Sequence, residues 1–327
     1  SQLVILSIGV VPETSFLKDT GIEFGKKGHI IVNDNMETNI EGIFAVGDAV
    51  EVVDFVNKNK TAIALAGPAN KQGRIAADNI CGIKSTFKGS EGTAIIKVFN
   101  VTAASTGNNE RTLKRLGIPY KIVVVHPASH ASYYPDSHPV SIKLIFGDDG
   151  KIFGAQAVGY DGVDKRIDVI ASTIRLNGTV YDLTELELSY APPYSSAKDP
   201  VNMAGFAAEN VLTGKTEVIT AEEFLKMNRE DTLVIDVRTE IEYENGNAAG
   251  AVNIPVDSLR DRIGEIDKNK EIIVYCQVGL RGYIAQRILK QKGFKVKNLT
   301  GGYKSLVALS FKPEVINRNN NDDAQKE

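Results

Sequence analysis

The chain has 327 residues, 43% hydrophobic and 24% charged, and its 38 Lys and Arg against 41 Asp and Glu leave a net charge of -3. At about 150 residues per domain, that length suggests two or three domains, each with its own core. The charge balance gives no reason to expect a nucleic-acid partner, and no apolar run approaches the roughly 18 residues of a membrane span. Two distant cysteines, Cys81 and Cys276, exclude a disulfide framework and fit a reducing cytoplasm.

The chain opens on Leu3-Val4-Ile5-Leu6-Ser7-Ile8-Gly9, a run that reads as a buried strand. Termini are usually polar and frayed, so this opening predicts a fold already under way and a longer parent chain. Gly25-Lys26-Lys27-Gly28 predicts a hairpin turn before a strand at His29-Ile30-Ile31-Val32. A further strand, Gly42 to Val46, runs into Gly47-Asp48-Ala49, and an Ala-rich helix is predicted from about Thr61 to Ile80. From Thr93 the texture becomes α+β, with strands at 94–101, 120–125, 140–146 and 152–158 and helices near 108–116, 163–176 and 199–212.

The last module alternates regularly. Thr220 and Glu223 form a capping box for a helix from Ala221 to Met227. Leu233-Val234-Ile235-Asp236-Val237 and Glu271-Ile272-Ile273-Val274-Tyr275 are continuous apolar runs, as expected of parallel strands covered on both faces. Helices are predicted near 257–264 and 282–292. The boundaries read as 1–92, 93–213 and 217–310, followed by a polar, disordered tail at 311–327.

Cys276-Gln277-Val278-Gly279-Leu280-Arg281 lies between a buried strand and a helix. Such a loop can turn its backbone N–H groups inward, add the positive end of the helix dipole, and bring in a guanidinium, all of which favour a thiolate. Gly279 supplies a conformation a side chain would forbid. Four residues separate Cys276 from Arg281, a tighter ring than the Cys-x5-Arg phosphatase cradle and better suited to one extra sulfur atom. Together with Asp236-Val237-Arg238, Glu242-Tyr243, Gly250 to Pro255 and Asn298-Leu299-Thr300-Gly301-Gly302-Tyr303, the loop resembles the rhodanese sulfurtransferases. Gly246-Asn247-Ala248 departs from the Gly-His-Ile usual there, and Asp236 with Arg238 reads as a structural ion pair. The resemblance implies a Cys276 persulfide held by Gln277, Val278, Gly279, Leu280 and Arg281.

Thr38 to Asp48 ends an apolar stretch on Gly47-Asp48 and leads on to a helix. Gly permits close approach of a ligand, and an ionised Asp suits a polyol hydroxyl. The segment resembles the second FAD-binding segment of the pyridine nucleotide–disulfide oxidoreductases, which implies that Asp48 holds the flavin ribitol chain. Leu65 to Arg74, with Pro68 and Ala69 near the helix start, is similar to the branch containing coenzyme A-disulfide reductases and NADH oxidases and peroxidases. There the N-terminal end of the helix faces the flavin.

His126, His130 and His138 lack acidic or thiol companions at ligand spacing, so no metal is expected. Tyr133-Tyr134-Pro135 and Tyr190-Ala191-Pro192-Pro193-Tyr194 resemble two segments of the coenzyme A-disulfide reductase dimerisation domain. The resemblance implies a homodimer in which Tyr190 and one of Tyr133 or Tyr134 reach the partner's active site, where a phenol could protonate a leaving thiolate. The expected fold is therefore multidomain α/β and α+β: a partial FAD-binding domain, a dimerisation domain and a rhodanese-like domain on a parallel sheet. The implied activity is reduction of coenzyme A disulfide, persulfide or polysulfide by NADH or NADPH through FAD, coupled to sulfur transfer at Cys276. The family's Gly-x-Gly-x-x-Gly FAD loop, its redox cysteine and its NAD loop have no counterpart in this sequence. The alternatives are an NADH oxidase or peroxidase with an accessory rhodanese module, and a non-catalytic dimeric persulfide-binding scaffold.

Overall fold

Continuous apolar runs and turn-forming glycines place most of the strands, and a computed structural model describes residues 3–310. The predicted tail at 311–327 lies outside the described residues. The described residues divide into two compact units, 3–122 with Pro127–Glu209 and Val123–His126 with 210–310.

In the first unit, β1 (Ile30–Ile31) pairs in parallel with β2 (Val50–Val53), which pairs antiparallel with β3 (Lys60–Thr61). Gly25 N–H donates to the His29 carbonyl at 2.8 Å, closing the predicted hairpin turn. Helix α1 (Ala66–Ile80) begins later than predicted. Pro68 is tolerated only in the first turn of a helix, so the helix cannot start as far back as Thr61. Ile30, Val32, Met36, Val50, Val52, Ala76 and Phe87 form the local core. Two predicted strands fail. Leu3–Gly9 is irregular, and its side chains are exposed, Leu6 to 78%. Residues 42–46 form only an isolated bridge, Glu37 to Phe44. Buried parallel strands need cover on both faces; the exposed Leu3–Gly9 run has none among the described residues. Residues 42–46 pair only locally, through the Ala45 amide to the Met36 carbonyl and the Thr38 amide to the Ile43 carbonyl, with Phe44 and Ala45 packed on the core.

Next in chain order come β4 (Ala94–Val98), β5 (Val101–Gly107), α2 (Glu110–Leu116), β6 (Lys121–Val125), β7 (Ser141–Phe146), β8 (Ile152–Gly159), α3 (Val163–Arg175), α4 (Val180–Glu185) and α5 (Pro200–Leu212). The ladder β4-β5-β8-β7 is antiparallel throughout. The single strand predicted over 94–101 is really a hairpin that turns at Phe99, whose φ is +51°. Its second arm, β5, is built from Val-Thr-Ala-Ala-Ser-Thr-Gly and lacks the alternation that marks a strand in sequence. Helix α3 lays Val163, Ile167, Ile170 and Ile174 into the core at helical spacing.

In the second unit, β9 (Val218–Ile219), α6 (Ala221–Lys226), β10 (Thr232–Asp236), α7 (Glu240–Glu244), β11 (Val252–Asn253), β12 (Glu271–Tyr275), α8 (Leu280–Gln291), β13 (Val296–Leu299) and α9 (Gly302–Ser310) follow in order. Their sheet runs β11-β10-β12-β13-β9 with every pairing parallel. Side chains alternate across it: Ile235, Ile272 and Val274 join one core with Leu289 and Val296, while Val234, Ile273 and Tyr275 join the other with Phe224 and Leu306. The Thr220–Glu223 capping box starts α6 as predicted. The helix predicted over 257–264 is instead a series of turns ending in a 3-10 turn, Ile263–Glu265. Ser258 bonds back to the Pro255 carbonyl there, a local bond that competes with helix.

Candidate functional site

The central strand β12 delivers Cys276 at its C-terminal end. Gly279, at φ +107°, is the residue from which α8 starts. That left-handed conformation turns the chain sharply enough for the Gly279 amide to donate back to Cys276 Sγ at 3.1 Å. The cysteine is 1% exposed and packs within the apolar core beneath it, so its sulfur meets hydrocarbon on one side and a polar cap on the other. Behind the loop, Asn298 Nδ2 donates to the Gly279 carbonyl at 3.1 Å, and a side chain on Gly282 would collide with Asn298. Tyr303 and Lys304 amides donate to the Cys276 and Gln277 carbonyls at 2.8 and 3.0 Å. Gly301 and Gly302 have φ of +73° and +59° and let the start of α9 come this close.

Arg281 closes the front. Its guanidinium donates to both Glu242 oxygens, at 2.7 and 2.6 Å, and also interacts with Cys276. The Arg281 hydrogen bonds hold the Glu242 carboxyl at about 2, against partial burial, and Thr239 adds further bonds. By itself the Glu242-Tyr243 motif does not reveal that Arg281 is held by Glu242. The Thr239–Glu242 capping box that starts α7 was legible as T-x-x-E and points straight at it. Leu280 is exposed, Val278 is half-buried and Gln277 Oε1 accepts from Arg238 at 3.1 Å. Arg238 and Asp236 form a buried ion pair at 2.7 Å, and Arg238 also donates to the Gly246 carbonyl at 2.6 Å and lies 4.2 Å from the centre of the Tyr303 ring. The pair thus ties the 246 and 277 loops to the sheet. Asn247, in the place where the motif departs, donates to the Tyr243 carbonyl at 3.2 Å.

In the first unit, Gly47 and Asp48 lie in a 3-10 turn, Gly47–Ala49. Gly47 has φ +83° and open space where a side chain would stand, and its amide donates to the buried Gln72 of α1 at 2.7 Å. This bond sets the turn against α1, whose first turn carries Pro68 and Ala69. Asp48 is exposed. A left-handed glycine, an acceptor-only carboxylate and an adjacent helix start suit a phosphorylated polyol such as the flavin chain. A cleft of about 630 Å³ beside Gly67 and Pro68 is also lined by Lys71 and Arg175.

The tyrosines separate cleanly. The Tyr190 phenol beside Tyr133 holds the Tyr133 phenol above its ordinary value. Tyr134 instead sets its ring edge-on to His130 at 5.9 Å. Both Tyr133 and Tyr190 are exposed. Their segments meet where the Ala131 amide donates to the Pro192 carbonyl at 3.2 Å. Among the described residues, no cluster of His, Cys, Asp and Glu could hold a metal ion, and no helix is long and apolar enough to cross a membrane.

Comparison with known proteins follows the same division. Residues 1–73 match the pyridine nucleotide-disulphide oxidoreductase family, 93–200 its dimerisation domain and 220–309 the rhodanese-like domain. The chain thus joins pyridine nucleotide-disulphide oxidoreductase segments to a C-terminal rhodanese-like domain. In particular it is similar to the coenzyme A disulfide reductase of Staphylococcus epidermidis, at 40% identity over 64% of this chain and 48% of that protein. Among solved structures, the reduced Bacillus anthracis CoADR-RHD superposes with TM-score 0.90 at 51% identity, over 93% of this chain and 55% of that one. An NAD-dependent persulfide reductase from A. fulgidus superposes with TM-score 0.84 at 40% identity, over 93% and 55%. The chain spans about half the length of the curated relatives it matches.

Proposed function

We propose that this chain serves FAD- and NAD(P)H-dependent reduction of coenzyme A disulfide, persulfide or polysulfide, with Cys276 passing sulfur as a persulfide. The relatives named above, a coenzyme A disulfide reductase and a persulfide reductase, support the reductase part. The observation that carries the sulfur-transfer part is the Gly279 amide on Cys276 Sγ, with Arg281 beside it. In the step at this loop, the Cys276 thiolate attacks the outer sulfur of a donor R–S–SH. The donor's S–S bond breaks, the departing R–S⁻ takes up the terminal proton as R–SH, and the enzyme keeps Cys–S–S⁻. Amide and guanidinium donors then hold the added sulfur's charge in a place that solvent reaches poorly.

Gly47, Asp48, Pro68 and Ala69 would hold FAD, which when bound supplies electron transfer fed by NADH or NADPH. Tyr190 with Tyr133 would donate a proton to a departing thiolate, in a homodimer formed through the dimerisation domain. The test is direct: the purified chain is mixed with polysulfide and weighed by mass spectrometry. A gain of one sulfur in the wild type that disappears in Cys276→Ser is expected. No gain in the wild type would favour a scaffold and overturn sulfur transfer.

A further inference from the structure

Helix α3 buries one stripe made of Val163, Arg166, Ile167, Ile170, Thr173 and Ile174. An arginine in that stripe is out of place, since a buried charge is costly unless its donors are matched. Arg166 is 1% exposed and its guanidinium is matched on every side. Nη1 donates to the Gly162 carbonyl at 3.1 Å. Nη2 donates to the Ser129 carbonyl at 2.8 Å, to Ser195 Oγ at 3.3 Å and to Asp199 Oδ2 at 3.0 Å, and Nε donates to Asp199 Oδ1 at 3.4 Å. Asp199 also accepts from Ser195 Oγ at 2.7 Å and from the Val201 amide at 2.9 Å, while Lys165 stands 3.9 Å away at the rim.

These acceptors come from two stretches far apart in sequence. Ser129 lies four residues before Tyr133, and Ser195 lies five after Tyr190. We propose that Arg166 is a positioning residue for the Tyr133–Tyr190 pair: one buried guanidinium pins both tyrosine-bearing segments to α3 and so fixes the distance between the phenols. The proposal rests on the reading of those tyrosines as a proton-donating pair. It explains why a helix face that hydrocarbon could fill carries a charge. Buried ion pairs contribute little net stability compared with well-packed apolar groups, but they fix geometry in directions that apolar contacts leave free.

The test reads the phenols themselves in the intact chain. Tyrosine labelled with ¹³C at Cζ is titrated by NMR in the wild type, Tyr190→Phe, Arg166→Gln and Ser195→Ala, with Tyr133→Phe giving the assignment. In the wild type Tyr133 is expected to titrate above an ordinary tyrosine, and Tyr190→Phe should bring it down. Arg166→Gln should bring it down to the Tyr190→Phe position in a chain whose other resonances stay folded. Should that variant not fold, Ser195→Ala removes single bonds of the clamp and should move Tyr133 in the same direction. If Tyr190→Phe lowers Tyr133 but the folded clamp variants leave it at the wild-type value, the positioning role is overturned alone. If Tyr190→Phe leaves Tyr133 unmoved, the pair itself falls and the proposal with it.

Discussion

Two turns in this chain carry the proposed binding residues, and they differ in what stands behind them. The Cys276 loop leaves β12, a strand paired on both edges and covered by apolar layers on both faces. The Gly47–Asp48 turn follows a stretch that makes only one isolated bridge, and it is held through a single amide bond to Gln72. The lesson is that a binding loop inherits its rigidity from the element it leaves. An amide can be aimed at a sulfur atom only if the strand below cannot shift. The largest expected contrast therefore lies in the apolar support. Ile273→Ala removes a fully buried side chain between β10 and β13 and should cost about 2–5 kcal/mol. Leu6→Ala alters a side chain that is 78% exposed and should stay within about 0.5 kcal/mol of wild type. Urea unfolding of both variants measures this, and equal losses would break the comparison.

Next in size is the glycine contrast. At Gly302 a Cβ would run into the Cys276 carbonyl oxygen and lie 2.8 Å from the Gln277 carbonyl carbon and the Val278 nitrogen. Those are backbone atoms of the Cys276 loop itself and cannot swing aside. Gly302→Ala should therefore slow persulfide formation by about 10²-fold, since a displacement of about 1 Å in a reacting group costs that much. At Gly47 a Cβ would meet nothing within 4 Å. Gly47→Ala should carry only the left-handed backbone cost, about 1 kcal/mol. Sulfur uptake followed by mass spectrometry reads the first, and thermal unfolding reads the second.

The same contrast governs what the sequence makes legible. Glu271–Tyr275 and the α6 capping box coincide with their predicted positions because a double-sided apolar run or a Thr-x-x-Glu pair is a local signal. The Leu3–Gly9 run reads as a strand and is none, because apolar content fixes what a segment would bury and not whether a neighbour is there to bury it. Strand β5 and helix α9 escape notice for the opposite reason. Small residues in β5 and two leading glycines in α9 carry weak propensity, and tertiary pairing overrides it. At the site, the Cys276 loop is legible as a contiguous motif. The pairing of Tyr133 rather than Tyr134 with Tyr190, and the Arg166 clamp, depend on contacts across 29 to 57 residues of chain, which no local spacing encodes.

The smallest effect expected sharpens the comparison through charge. Each unit holds an Arg–Glu pair, and the two titrate in opposite directions. Burial pushes the Glu91 carboxyl up, and Arg175, at 3.8 Å, does not offset it. At Glu242 the two Arg281 bonds outweigh burial and hold the carboxyl at about 2, below its ordinary 4.5. The Glu242 pair therefore contributes stability that is fully present above pH 4.5 and fades as pH falls through about 2. The Glu91 carboxyl acts the other way: it favours the fold while protonated, and that contribution is lost as pH rises through its elevated value. Both Arg281 and Glu242 are a third exposed, so solvent screens the pair, and Glu242→Gln should cost no more than about 1 kcal/mol at neutral pH. Glu91→Gln should be neutral or slightly stabilising there, since it replaces a carboxylate that burial disfavours. Side-chain ¹³C titration of the two glutamates, in wild type and in Arg281→Met, decides the matter. In Arg281→Met, Glu242 should climb back toward 4.5 while Glu91 stays where it was. If Glu242 does not move, its low value comes from the α7 cap at Thr239, and Arg281 is free to serve the sulfur alone.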